Sequence, residues 1–264
     1  MVRIYIQKDE LDLDKTLVLG QVFGWEKDIK TGCWYKPLFN KMVVLKQHEE
    51  YIELNNNTLE EQIKQYLDVE TQYNKIINID NSDTYIKYAA EQGRGIHILR
   101  QDLFEVTITF MISACNNMKR INNIVKAICR QYGDKVEYGK YCGYTFPTVE
   151  QIYEKGVEHI YELGMGFRAK NIEVALEIFK IHGDKKFKAL DDNQLFGKLN
   201  QIPGIGPKVA SCIMLFGDHR LNTFPVDTHI RNIINTHCNG VYEMGKYDPY
   251  NGIIQQYMFY VDTN

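Results

Sequence analysis

The stretch Gln201-Ile202-Pro203-Gly204-Ile205-Gly206-Pro207-Lys208-Val209-Ala210 decides how this chain of 264 residues is read. Pro203-Gly204 and Gly206-Pro207 are strong turn signals. Glycine permits the positive φ that a tight turn needs and lets another backbone approach closely. Pro207 suits the first position of a helix, where no N–H is required. The helix then runs from Lys208 to about Phe216, because Val209, Cys212, Ile213 and Phe216 share one apolar face. A helix from Asp191 to Leu199 precedes the turn. N–H groups gathered at a glycine turn and a helix start form an anion site, and phosphate is its natural guest. The element is a helix-hairpin-helix clamp for a DNA backbone.

Lys208 stands in the first turn of the second helix, where the helix dipole and partial burial both favour a neutral amine. A neutral lysine is a nucleophile suited to Schiff-base formation. Asp227, in Pro225-Val226-Asp227-Thr228-His229, follows nineteen residues later and opens the next helix. Amine, carboxylate and phosphate grip together point to covalent chemistry on a DNA sugar. Each residue also has a plainer reading. Lys208 alone is a solvated surface lysine, and Asp227 is a helix N-cap, for which aspartate is a preferred residue. For Asp227 the two readings are compatible, since a capped carboxylate is a fixed one.

A chain this long forms about one to three domains with a sizeable core. Hydrophobic residues make up 44% and charged residues 25%, an ordinary globular composition. The net charge of −3 argues against a strongly basic, non-specific coating protein. The charge is uneven, however. Residues 49–83 carry nine acidic and two basic side chains, residues 91–135 seven basic and four acidic, and residues 164–188 six basic and three acidic. Such basic stretches, with backbone N–H groups, allow local DNA binding. The six cysteines (Cys33, Cys115, Cys129, Cys142, Cys212, Cys238) hold no Cys-x-x-Cys pair and no zinc spacing. That pattern fits a reducing, intracellular setting with no metal and no cofactor. No cysteine follows Cys238, so a terminal four-cysteine loop for an iron–sulfur cluster is missing. The opening residues turn charged too soon for a signal peptide, and the longest apolar stretch, near 106–115, is too short to span a bilayer.

The expected fold class is α+β. An N-terminal antiparallel sheet domain with helices occupies residues 1–80, and an all-helical helix-hairpin-helix body occupies 81–264. Strands are expected at Arg3–Gln7, Phe23–Lys27, Trp34–Phe39, Met42–Gln47 and Tyr51–Leu54. A helix starts at Thr58 and runs to about Tyr66. Asp102 and Glu105 form a capping-box pattern ahead of an apolar helix, and Asn116-Asn117 precede another. Further helices are expected over 148–155, 156–163, 168–182, 228–236 and 248–260.

Beyond the hairpin with Lys208 and the Asp227 stretch, five more segments line up with one family. These are Leu19-Gly20-Gln21-Val22-Phe23-Gly24-Trp25, Leu99-Arg100-Gln101-Asp102, Ser113-Ala114-Cys115-Asn116-Asn117-Met118-Lys119-Arg120, Leu163-Gly164-Met165-Gly166-Phe167-Arg168-Ala169 and Gly252-Ile253-Ile254-Gln255-Gln256-Tyr257-Met258-Phe259. Seven matches in order over residues 17–259 resemble the 8-oxoguanine DNA glycosylase family of the helix-hairpin-helix superfamily.

The resemblance implies a TBP-like N-terminal sheet domain and a bifunctional enzyme. Lys208 attacks C1′ of the damaged nucleotide, and β-elimination then nicks the strand. Asp227 stabilises charge developing on the sugar. The Gly20 carbonyl meets the N7–H of 8-oxoguanine, Cys212 and Phe259 sandwich the flipped base, and Gln255 binds its Watson–Crick edge. Asn116, Arg120, Phe167 and Arg168 face the vacated stack and the opposite cytosine, while Gly204, Gly206 and His229 hold phosphate. The partner implied is double-stranded DNA containing 8-oxoguanine, bound by a monomer. The composition, rich in Asn, Ile and Lys, is that of a low-GC bacterium, and the setting is its cytoplasm.

Three departures stand out. Cys115 occupies the place of an asparagine in the animal enzymes, Phe167 that of a tyrosine, and Gly24 that of an arginine. Taken singly, Cys212 and Phe259 read better as core residues, Gln255 as a solvated helix residue, Gly20 as a simple turn glycine, and the arginines as solvated surface. Two alternatives remain open at this level: a helix-hairpin-helix glycosylase for another lesion, and a non-catalytic DNA-binding module.

Overall fold

Alternation sets the first part of the chain. In β5 (Tyr51–Leu54), Ile52 and Leu54 are fully buried while Tyr51 and Glu53 are half-buried. This is the pattern of a sheet with one face on a core. The structure, a computed structural model, describes residues 1–77, 83–238 and 240–263. The other strands of this antiparallel sheet are β1 (Val2–Tyr5), β2 (Glu26–Asp28), β3 (Cys33–Leu38) and β4 (Lys41–Gln47), in the order β1-β5-β4-β3-β2. Val2 pairs with Leu54 and Trp34 with Leu45. Helices α1 (Leu13–Thr16) and α2 (Glu60–Tyr66) accompany the sheet, and its inward residues join Leu13, Ile63 and Leu67 in one core.

The rest is built from α3 (Tyr73–Ile77), α4 (Thr84–Gln92), α5 (Leu103–Ser113), α6 (Met118–Tyr132), α7 (Val149–Glu154), α8 (Arg168–Lys188), α9 (Asp192–Asn200), α10 (Pro207–Gly217), α11 (Thr228–His237) and α12 (Asn251–Thr263). Helix α5 is its axis. Apart from Glu105 and Ser113 its residues are buried all round, as its largely apolar sequence requires. Its two threonines turn their hydroxyls back on the helix, Thr107 to the Leu103 carbonyl and Thr109 to the Glu105 carbonyl, both at 2.8 Å. At Gly217 a Cβ would stand 3.1 Å from Leu103 Cδ1 and Val106 Cβ, so the missing side chain lets α10 lie close against α5.

Several expectations shift. The strand expected at Phe23–Lys27 begins only at Glu26, because Gly24 at φ +87° keeps the preceding residues in a loop. The expected all-helical body carries a two-stranded hairpin, β6 (Lys135–Tyr138) and β7 (Tyr141–Tyr144), packed on the main sheet. The short helices α1 and α3 were not anticipated either. The end expected at 182 marks a real break: Gly183 is non-helical, with φ 63° and ψ 165°, and α8 resumes beyond it. The capping-box pattern is half used. Asp102 caps α5, but the Glu105 side chain pairs with Lys36 instead. The boundary expected at 80/81 lies outside the described residues.

Asp68 ties the sheet region to the helical body. It is buried and accepts from Arg100 Nε at 2.8 Å and the Tyr73 hydroxyl at 2.7 Å, with His219 Nε2 at 3.2 Å. Burial alone would raise this carboxyl. The hydrogen bonds of His219 and Tyr73 and the charge of Arg100 outweigh it and hold Asp68 well below the usual carboxylate range. The stabilisation is therefore present above the ordinary carboxylate pKa and is lost as pH falls from there through the lower folded value. Asp68→Ala is expected to cost about 3 kcal/mol or more in urea unfolding at pH 7. The gap to the wild type should narrow in acid. A loss that is small at pH 7, or that does not change with pH, would remove Asp68 from this role.

Candidate active site

The loop from Leu19 to Trp25 is held by polar groups that reach it from four directions. Gln21 is fully buried, and its Nε2 donates to the carbonyls of Thr16 (3.0 Å) and His97 (2.8 Å). The Leu99 N–H donates to Gln21 Oε1 at 2.9 Å, and Gln101 Nε2 donates to the Gln21 carbonyl at 2.8 Å. Lys36 Nζ donates to the Phe23 carbonyl at 2.8 Å and to Glu105 at 2.7 Å. The Gly24 N–H donates to Asn122 Oδ1 at 3.2 Å. Burial alone would lower the Lys36 ammonium, but Glu105 beside it outweighs that and raises it, so Lys36 stays charged. Gly20 sits in this fixed loop at φ +79°, with open space where a side chain would begin.

That space belongs to a cavity of about 330 Å³. Leu19, Gly20 and Phe23 form one wall, and Phe110, Ser113, Asn116, Met118 and Ile121 another. Lys208, Cys212 and Phe216 enter from α10 at successive four-residue steps, the spacing that puts side chains on one helix face. Pro225, Asp227 and His229 close one end, and Gln255, Gln256 and Phe259 enter from α12. The size is within the range of small-molecule sites. Eight expected residues therefore meet in one place: Gly20, Asn116, Lys208, Cys212, Asp227, His229, Gln255 and Phe259.

Lys208 Nζ lies 5.7 Å from the centre of the Phe110 ring. Burial pushes the Cys212 thiol up to about 11; Lys208 opposes the shift and Asp227 adds to it. Asp227 caps α11, accepting from the Ile230 N–H at 2.9 Å, while it also lines the cavity. The cap thus does not turn Asp227 away from the cavity. His229 Nδ1 meets Asp262 at 2.5 Å, and its ring stands edge-on to Phe259 at 5.6 Å. Gln256 Nε2 donates to Gln255 Oε1 at 2.7 Å.

A second group lies outside the cavity, around the loop between α5 and α6. Arg120 Nη2 donates to the Gly164 carbonyl at 3.1 Å, and Arg168 donates to the Ala114 carbonyl. The Arg168 guanidinium lies 4.7 Å from the centre of the Phe167 ring, and Phe167 is 77% exposed. An aromatic ring so exposed on a protein surface invites a stacking partner. Cys115 is exposed in the same loop with φ 52°, and Asn117 caps α6. Asn116 belongs to both groups, since it also lines the cavity. Gly204 takes φ +86° in the hairpin, and Gly206 is the N-cap of α10, whose first turn has no side-chain cap.

Sequence reasoning missed Gln256 and the clamp made by Gln21, Lys36, Gln101, Glu105 and Asn122. It also missed the apolar walls Phe23, Phe110 and Phe216. Only the Gln255-Gln256 doublet offered a local signal, because two adjacent amides on an apolar helix need partners. Among the described residues no group of His, Cys, Asp and Glu is placed to hold a metal ion, and no helix is long and apolar enough to cross a membrane.

Residues 3–107 match the family model described as the 8-oxoguanine DNA glycosylase N-terminal domain, and residues 108–240 match that of HhH-GPD superfamily base excision DNA repair proteins. An N-glycosylase/DNA lyase of Saccharomyces cerevisiae is 28% identical over 260 residues, covering 88% of this chain and 69% of the relative. The N-glycosylase/DNA lyase OGG1 of Arabidopsis thaliana is 26% identical, covering 85% and 65%. The chain thus spans about two thirds of the length of these relatives. The 8-oxoguanine glycosylase/lyase of Clostridium acetobutylicum, solved with double-stranded DNA containing cytosine opposite 8-oxoG, superposes with a TM-score of 0.86 at 29% identity, covering 96% of this chain and 91% of that one.

Lys36→Met would leave the largely enclosed Glu105 without its cation. Urea unfolding should show a loss of about 3 kcal/mol or more, and Lys36→Met/Glu105→Gln should recover a large part of it. A single variant as stable as the wild type would mean that the pair does not hold the loop.

Proposed function

Because the chain belongs to the HhH-GPD superfamily of base excision DNA repair proteins, with the N-terminal domain of the 8-oxoguanine DNA glycosylases ahead of it, we propose that it is a bifunctional DNA glycosylase and abasic-site lyase that removes 8-oxoguanine from duplex DNA. The observation that carries this reading is the convergence of Lys208, Asp227 and the clamped Gly20 on one cavity.

The damaged nucleotide leaves the base stack and enters the cavity. Lys208 attacks C1′ as the C1′–N9 bond breaks, and the electron pair leaves with the base. Asp227 stabilises the positive charge that builds on the sugar. The secondary amine on C1′ opens the ring to a Schiff base, C2′ loses a proton, and the 3′ C–O bond breaks to nick the strand. The Gly20 carbonyl accepts from the N7–H that 8-oxoguanine has and guanine lacks, since the N7 of guanine is an acceptor. Burial keeps the Cys212 thiol protonated, so it packs as a neutral face against the base opposite Phe259, and Gln255 meets the Watson–Crick edge.

Asn116, Arg120, Phe167 and Arg168 take the place of the extruded base and face its former partner. Gly204, Gly206 and His229, whose Nδ1 meets Asp262, hold phosphates on either side. The enzyme works as a monomer, without cofactor or iron–sulfur cluster, in a bacterial cytoplasm. Residues 1–80 and 81–264 are its sheet domain and its glycosylase body.

Borohydride trapping on duplexes with 8-oxoguanine opposite each base tests the reading. A covalent complex is expected on damaged duplexes and not on the undamaged control. Lys208→Gln should abolish trapping and base release while lesion binding persists. Trapping retained by Lys208→Gln would place the nucleophile elsewhere, and release of thymine glycol or alkyladenine alone would give the protein a different lesion.

A further inference from the structure

The break in α8 at Gly183 leaves a depression of about 250 Å³. Ile178 enters it from before the break, Phe187 and Leu190 from after it, and Ile202 from just beyond α9. Phe187 is anchored by its ring, which stacks on Phe179 at 4.9 Å. The four side chains make an apolar floor, and Ile181, three residues on from Ile178, is 69% exposed. None of the residues lining this depression lines the cavity around Lys208.

The rim is basic. Lys186 and Lys198 line the depression and are exposed, and Lys186 Nζ stands 3.5 Å from His182 Nδ1 on the same rim. The end of α8 also holds Lys185 and Lys188. Among the described residues no acidic side chain lines the depression. The carboxylates closest to these lysines in sequence are engaged elsewhere: Asp184 meets Asp102, Asp191 caps α9, and Asp192 pairs with Arg220 at 2.7 Å.

An apolar hollow with a charged rim marks an interaction surface, and its occupant must satisfy both parts. A phosphodiester backbone would meet the lysines but has no apolar group for the floor. An uncharged apolar segment would fill the floor and leave the lysines unanswered. A cavity of about 150 Å³ already admits a benzene ring, so this one seats a large aliphatic or aromatic side chain.

We propose that the depression between the broken α8 and the end of α9 docks an acidic peptide segment of a partner protein. One large apolar side chain of that segment sits on Ile178, Phe187, Leu190 and Ile202, and its flanking carboxylates meet Lys186 and Lys198. The site stands apart from the cavity around Lys208 and does not depend on the reading given for it.

The test is fluorescence anisotropy of the whole protein with the labelled peptide Asp-Asp-Leu-Phe-Asp-Asp. Saturable binding is expected. Asp-Asp-Ser-Ser-Asp-Asp, of equal charge, should bind about 10-fold more weakly or worse, because the buried apolar contact is gone. Asn-Asn-Leu-Phe-Asn-Asn should also bind more weakly, and Lys198→Glu should lower the affinity for the acidic peptide roughly 5-fold. Unchanged urea unfolding of Lys198→Glu would show that this loss is local. A photoreactive benzoyl group on the peptide phenylalanine should crosslink within residues 178–202. Absence of saturable binding would overturn the proposal, as would equal binding of the serine peptide or crosslinks elsewhere. Displacement of the peptide by an undamaged duplex would overturn it too, and would make the depression part of a DNA track.

Discussion

A backbone carbonyl can discriminate between two bases only if it does not move when the wrong one arrives. For the role proposed for the Gly20 carbonyl, that constraint falls on the arrangement around Gly20. The glycine itself is free to adopt its left-handed conformation and has no side chain to hold it. Rigidity comes from its neighbours. The buried Gln21 amide spends its donors and an acceptor on Thr16, His97 and Leu99, and Lys36 takes the Phe23 carbonyl. A slip of the loop would leave several buried polar groups without partners at once, each costing about 1–3 kcal/mol. The Gly20 carbonyl is thus held by the sum of its neighbours' bonds.

The rest of the fold keeps the two halves of the site in register. The loop with Gly20 comes from the sheet region, and the amine and carboxylate come from the helical body. Helix α5 stands between them, and its ends serve both. Glu105 in its first turn pairs with Lys36 from the sheet, and Ser113 at its last position lines the cavity. Asp68 adds a second tie from Arg100 and His219. Helix α10 lies close along α5 because Gly217 has no side chain, and this seats Lys208 near Phe110.

Much of this was legible in the chain. The hairpin around Gly204 and Gly206, the helix with Lys208, and Asp227 as the start of another helix all follow from turn chemistry, proline placement and apolar periodicity. Local rules suffice there because the elements are local. The hairpin of β6 and β7 was missed because the alternation of Lys135-Val136-Glu137-Tyr138 is only four residues long, Tyr141-Cys142-Gly143-Tyr144 does not continue it, and the strands pair where the main sheet supports them. The Lys36–Glu105 pair joins residues 69 positions apart, and periodicity says nothing about such distances. Glu105 misled in an instructive way: its spacing from Asp102 fits a capping box, but a buried cation outbids the backbone for its carboxylate.

Arg120 and Arg168 carry a consequence for the proposed meeting with DNA. Arg120 and Arg168 are not idle in the absence of DNA, for each already donates to a carbonyl of its own chain, at Gly164 and Ala114. A nucleotide that engages them therefore gains only the difference between the new bonds and the old. Partners that offer one poor acceptor leave the resting arrangement undisturbed. One that offers two well-placed acceptors displaces it, because a guanidinium fork gains most from paired acceptors. Under the proposed function, the resting bonds would act as an internal competitor that filters weak encounters along a duplex, and only a site that satisfies both arginines together would displace them.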